Sequence, residues 1–304
     1  MPTTYFKTSR RLFLIGLAVA LLSVALPNHA IANNAPKTPP STKQTKAPFW
    51  TSDTGAHTVP ATDASILSSP SLSKEDRVLV RWCLARYGLG SYWFAQESAE
   101  KSAERAAKRF FDRMPTTEIG SRLTPVRKAL YRGTRAYTSV SFVLAYYGID
   151  FEKNALRVVE SMALLTENKP SKLKLAGLAS LGQDSVGAEG VPAAVTKLYA
   201  RNQSASLLRA YLHSPADGTL MEDKCWTLGG FFLKYPAQVL QAAATPRDME
   251  SLAFYVYEVS DDHRRRRGRK VWRILDRLEG NSDANIVRLA KRFRRVYARE
   301  VAEH

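Results

Sequence analysis

The chain has 304 residues and carries 45 Lys and Arg against 28 Asp and Glu, a formal charge of +17. Two cysteines allow at most one disulfide and so exclude a cysteine-stapled scaffold, and the five histidines show no zinc-ligand spacing. A charge this positive selects for anionic partners without specifying a fold.

Taken from the start, Lys7, Arg10 and Arg11 stand without an acid before an apolar run from Leu12 to Leu26, followed by Pro27 and the small-residue triplet Ala30-Ile31-Ala32. That order predicts an export signal cleaved after Ala32. Fifteen apolar positions fall short of the roughly 20 residues a helix needs to cross a bilayer, which argues against an uncleaved anchor. Ser9-Arg10-Arg11-Leu12-Phe13-Leu14 resembles the twin-arginine export signal, whereas the strongly apolar run fits the general secretory route; the two stay open. Cleavage would leave a formal charge of +14. Residues 33–72 hold six of the fifteen prolines among Ser, Thr, Lys and Asn, too little apolar surface to offset chain entropy, and are expected to form a disordered spacer.

From Ser73 onward apolar residues recur at helical spacing, with no alternation typical of a half-buried strand, so the expected fold class is all-α. Ser73 with Glu75 and Asp76 reads as a helix start. Further helices are expected at about 91–114, 125–147, 151–167, 191–201, 204–213, 219–234, 236–244, 247–260, 264–279 and 283–302. Short connections such as Ser214-Pro215, Thr245-Pro246 and Gly280-Asn281 make consecutive helices antiparallel neighbours, stacked as hairpins in the manner of an α-solenoid. Between Val191 and Ala244, helices ending at Ser214-Pro215 and Tyr235-Pro236 and followed by further apolar helices resemble the HEAT-like helical-repeat families. The resemblance implies a scaffold that binds partners on a packed helical surface.

Motifs for catalysis are sparse. Ala95-Gln96-Glu97-Ser98 resembles the Glu-Ser of lytic transglycosylases, which would make the chain a peptidoglycan-directed hydrolase with Glu97 as its acid. The continuation departs from that family: Ala99 to Arg109 alternates in charge, with Glu97 and Lys101, and Glu104 and Lys108, at four-residue spacing on a solvated face. No Gly-x-Ser-x-Gly elbow occurs, and Gly229-Gly230 follows no strand, so it reads as a close approach of two helices rather than a phosphate loop. Cys83 and Cys225 each sit on an apolar helical face, which favours two buried thiols over a bridge between them. No catalytic residue, metal ligand or cofactor is therefore expected.

The exception to this blandness is the C-terminal end. Between His263 and Arg299 fourteen basic residues face three acids, a balance of +11. At 100° per residue, Arg288, Lys291, Arg292, Arg295 and Arg299 share one stripe of the last helix, while Arg265, Arg266, Arg269, Lys270, Arg273 and Arg277 belong to the preceding helix and its start. Arginine's planar fork suits phosphate and carboxylate. The sequence thus predicts a basic face for an anionic envelope surface, with peripheral contact to lipid headgroups or glycan, or for an acidic protein. Nucleic acid is disfavoured by the expected compartment and by the lack of a recognised nucleic-acid module. Oligomeric state is not legible.

Overall fold

Helix starts along this chain are set by side chains that satisfy the first free N–H groups, and the architecture follows from where those starts fall. The computed structural model describes residues 71–87, 97–166, 190–216, 218–261 and 266–303. The signal, residues 33–70 of the spacer, Arg265, His57, His263 and His304 lie outside them, while Leu72, expected in the disordered spacer, is 6% exposed and packs in the apolar core. The described residues form twelve helices and no strand: α1 (Lys74–Tyr87), α2 (Glu97–Asp112), α3 (Thr116–Ala129), α4 (Arg135–Tyr146), α5 (Phe151–Thr166), α6 (Val191–Asn202), α7 (Ala205–His213), α8 (Gly218–Lys234), α9 (Pro236–Ala242), α10 (Pro246–Asp261), α11 (Arg266–Glu279) and α12 (Ala284–Glu303).

At the start of α1, Ser73 Oγ accepts from Asp76 N–H at 3.1 Å while Asp76 accepts from Ser73 N–H at 3.2 Å, a reciprocal cap. The single helix expected at 125–147 is two. Its first part begins earlier, at Thr116, and holds Pro125 in its interior. The chain then turns through Gly133 at φ 83°, and Thr134 caps α4 by accepting from Tyr137 N–H at 3.2 Å. The residues Thr116, Thr117, Gly120 and Thr124 are weak helix formers, which hid α3 from a reading by propensity.

The most extensive packing joins α8 with α10, α4 with α5, α1 with α4 and α10 with α12. The result is an all-α stack of helical hairpins around a continuous apolar core. Aromatic pairs knit the second half: Tyr199 of α6 meets Phe231 of α8 with ring centroids 4.9 Å apart, and Phe232 of α8 meets Phe293 of α12 at 4.9 Å. In the first half a buried cation does similar work. Arg86, 3% exposed, donates to Glu104 of α2 at 3.1 Å and stacks over the Tyr146 ring at 4.1 Å, and Lys197 of α6 donates to the same Glu104 oxygen at 2.8 Å. Glu104 therefore serves α1 and α6 rather than Lys108, which pairs with Asp112 at 2.6 Å. The expected solvated face of α2 is thus partly an interhelical contact, because Glu104 borders the buried Ala103 and Ala107.

Gly229 brings α8 and α10 together. A Cβ there would lie 2.8 Å from Val259 Cγ2 and 3.0 Å from the Tyr255 carbonyl oxygen, whereas one on Gly230 would meet nothing within 4 Å. The contrast is testable by thermal denaturation. Gly229→Ala is expected to destabilise by about 1–3 kcal/mol through overpacking. Gly230→Ala is expected to be neutral or to stabilise by up to about 1 kcal/mol through helix propensity.

Candidate functional site

Two features of the described residues combine charge with access. The first is a corner where the end of α7, the middle of α8 and the start of α10 meet. At the end of α7 Leu212 and Ser214 are buried although His213 is exposed, so the carbonyls on the buried side need donors. Lys224 supplies them: its Nζ donates to Leu212 O at 2.9 Å and to Ser214 O, with the Tyr211 and Tyr255 rings 5.9 and 5.5 Å away. The residue is 2% exposed. Its burial pulls the ammonium pKa down from the ordinary lysine range to about 8.

On the same corner, Thr245 and Asp248 form a reciprocal cap on α10, Asp248 N–H donating to Thr245 Oγ1 at 3.2 Å and Thr245 N–H to Asp248 Oδ2 at 3.3 Å. The other carboxylate oxygen lies 2.7 Å from His213 Nε2, at the C-terminal end of α7. Burial opposes ionisation of Asp248, yet the hydrogen bonds from Thr245 and His213 outweigh it and hold the carboxyl below its usual range. These groups line a cavity of about 560 Å³, whose wall also includes Arg247, Ser251 and Tyr255. Arg247 is exposed and Ser251 half-buried.

The second feature is the α11–α12 hairpin. Arg269, Lys270, Arg273 and Arg277 are exposed on α11, and Arg288, Lys291, Arg295 and Arg299 on α12, with Arg292 half-buried. Val271, Leu275 and Leu278 of α11 and Leu289, Phe293 and Tyr297 of α12 are buried on the opposite side. Arg266 opens α11, but its side chain lies outside the described residues. Each helix therefore carries its cations away from the core, as the helical spacing implied. The seam between them is different. Arg294 donates to Asp276 and Glu279 of α11, each at 2.5 Å, and its guanidinium lies 5.5 Å from the Trp272 ring centre. Both acids of α11 are thereby engaged by one arginine that the basic stripe did not include. On its other flank, Arg292 donates to Ala244 O at 3.3 Å and Arg299 lies 3.9 Å from Glu250, so the α12 stripe borders the start of α10.

Sequence reasoning located the basic residues but missed Lys224, the His213–Asp248 pair and Arg294. Two signals were present. Thr245-Pro246-Arg247-Asp248 has the spacing of a capping box, and Lys224 occupies an apolar phase with Met221, Cys225 and Leu228. Cys83 and Cys225 are free and buried, so the bridge is not formed; burial raises both thiol pKa values, that of Cys225 to about 12. Glu97 opens α2, but its side chain lies outside the described residues. Among the described residues no group of three or more His, Cys, Asp or Glu could hold a metal, and no helix is long and apolar enough to cross a membrane.

The Asp248 cap carries a pH signature. Its folded pKa is depressed, so its stabilisation is complete above the unfolded value near about 4 and is lost as pH falls through the folded one. Asp248→Asn is expected to cost about 1–2 kcal/mol at pH 6. In urea denaturation the gap between the variant and the parent should narrow at pH 3, whereas a constant gap would dissociate the cap from ionisation.

Comparison of the chain with protein-family models, curated proteins and solved structures gives no match.

Proposed function

We propose that the protein is a non-enzymatic helical-repeat scaffold, exported from the cytoplasm, whose C-terminal hairpin binds an anionic envelope surface of lipid headgroups or acidic glycan. The observation that carries this reading is the allocation of charge on α11 and α12. Both acids of α11 are bound by Arg294, while Arg269, Lys270, Arg273, Arg277, Lys291 and Arg295 are exposed with no carboxylate partner among the described residues. Like charges three and four residues apart on a helix repel, so a stripe of this kind lowers the stability of the free hairpin slightly. An anionic surface reverses that cost.

The hairpin is suited to a surface rather than to a pocketed ligand. Its cations extend along a 20-residue helix of about 30 Å and along its neighbour, and they project from a rigid, packed base. Each Lys or Arg near an anionic membrane contributes about 1 kcal/mol. The N-terminal export signal supports a compartment in which lipid and glycan surfaces are the available polyanions.

Vesicles of phosphatidylglycerol and phosphatidylcholine, with a sulfated polysaccharide in parallel, separate lipid from glycan. Binding is expected at low salt and should fall steeply between about 0.1 M and about 1 M salt, as the screening length shrinks from about 10 Å to about 3 Å. Replacing Arg288, Arg292, Arg295 and Arg299 by Gln keeps good helix formers and removes only exposed or weak contacts, so the fold should persist. Affinity should drop by well over tenfold, from four side chains at about 1 kcal/mol each. Equal binding by variant and parent would overturn the proposal.

A further inference from the structure

We propose that the cavity between α7, α8 and α10 is a separate binding site for a small organic oxyanion, a carboxylate or phosphate ester, seated between Lys224 and Arg247. Lys224 is a buried cation without a counter-charge among the described residues. The residue is 2% exposed, and among the described residues no carboxylate lies within ion-pair distance of its ammonium. Two carbonyl oxygens and two aromatic faces compensate only part of the desolvation of a full charge. Capping the end of α7 requires donors but not a cation at this depth.

The surroundings supply what a bound anion needs. The cavity of about 560 Å³ falls in the range of small-molecule sites, roughly 300–1,000 Å³, and is far larger than a single water requires. Arg247 brings an exposed guanidinium and Ser251 a hydroxyl, neither with a hydrogen-bond partner among the described residues. The acid in the wall, Asp248, is occupied on one oxygen by His213 and on the other by Thr245 N–H. Among the described lining residues, Lys224 and Arg247 against Asp248 give one excess positive charge before His213 is counted. The lowered Lys224 pKa has the sign expected of a buried cation without a counter-charge. Arg292 of α12 donates to the carbonyl of Ala244, the residue before Thr245 at the cavity wall, so the basic stripe approaches this corner and would draw anions toward it.

The test is calorimetric titration of the whole mature chain with inorganic phosphate and, in parallel, with succinate. Saturable binding of either, at one site per chain, is expected. Phosphate alone would identify a phosphate-bearing ligand and succinate alone a carboxylic acid. Arg247→Gln should weaken binding by roughly tenfold or more, the loss of a charged hydrogen bond, without lowering the melting temperature. Ser251→Asp should abolish it by placing a negative charge in the cavity. Lys224→Met deprives the α7 carbonyls of their donor and is expected to destabilise the fold, so the two other variants carry the decision. The variant lacking Arg288, Arg292, Arg295 and Arg299 should keep the site, which distinguishes it from the proposed surface-binding role. Absence of saturable binding to both probes, or binding that survives both Arg247→Gln and Ser251→Asp, would overturn the inference.

Discussion

At the end of α7 the carbonyls of the buried Leu212 and Ser214 must find donors. Lys224 meets that need from α8, and much of the second half of the structure is arranged around the consequence. Bringing α8 against α10 closely enough to place Tyr255 over the ammonium requires a helix surface without a side chain at Gly229. The start of α10 then falls beside the end of α7, where Thr245 and Asp248 cap one helix while His213 terminates the other. A negative helix end and a positive helix start thus meet across a single corner, each satisfied by side chains of the opposite sign. The cavity is the space left by that arrangement.

The same logic of allocating charge between buried and exposed positions runs through the rest of the stack. Glu104 is shared by Arg86 and Lys197, and so ties α2 to both α1 and α6. Arg294 collects Asp276 and Glu279 and fastens α11 to α12. In each case acids are used up in holding helices together. On the first network one carboxylate serves two cations, neither of them exposed, so no basic surface results. On the second, a hairpin rich in arginine has few acids to begin with, and engaging two of them at the seam leaves the outer faces dominated by positive charge. Structural cohesion and the exposed basic surface are therefore two results of one distribution.

The amino-acid pattern made some of this legible. The all-α class followed from unbroken helical periodicity after Ser73, and the cap at Ser73 rests on a side chain whose local preference is strong, whereas the cap at Thr134 lay inside a helix expected to be continuous. The orientation of the basic stripes on α11 and α12 was readable because buried and exposed positions separate cleanly on each helix. Helix α3 was hidden by threonines and a glycine whose intrinsic preference tertiary packing overrides. Partners across helices were beyond reach as well. Glu104 has Lys108 one turn away, and only the packing of α1 and α6 against α2 shows that it turns elsewhere. His213 and Asp248 stand 35 positions apart, and no local rule joins them.

The central claim is that the outer face of the C-terminal hairpin, rather than positive charge in general, engages an anionic surface. Arginine-selective modification with phenylglyoxal, read by mass spectrometry in the presence and absence of anionic vesicles, tests it at the level of single residues. Slowed modification is expected of Arg273, Arg277, Arg288 and Arg295, with no change at Arg105 of α2 and Arg209 of α7, which are also exposed. Protection spread evenly over all exposed arginines, or absent from α11 and α12, would contradict it.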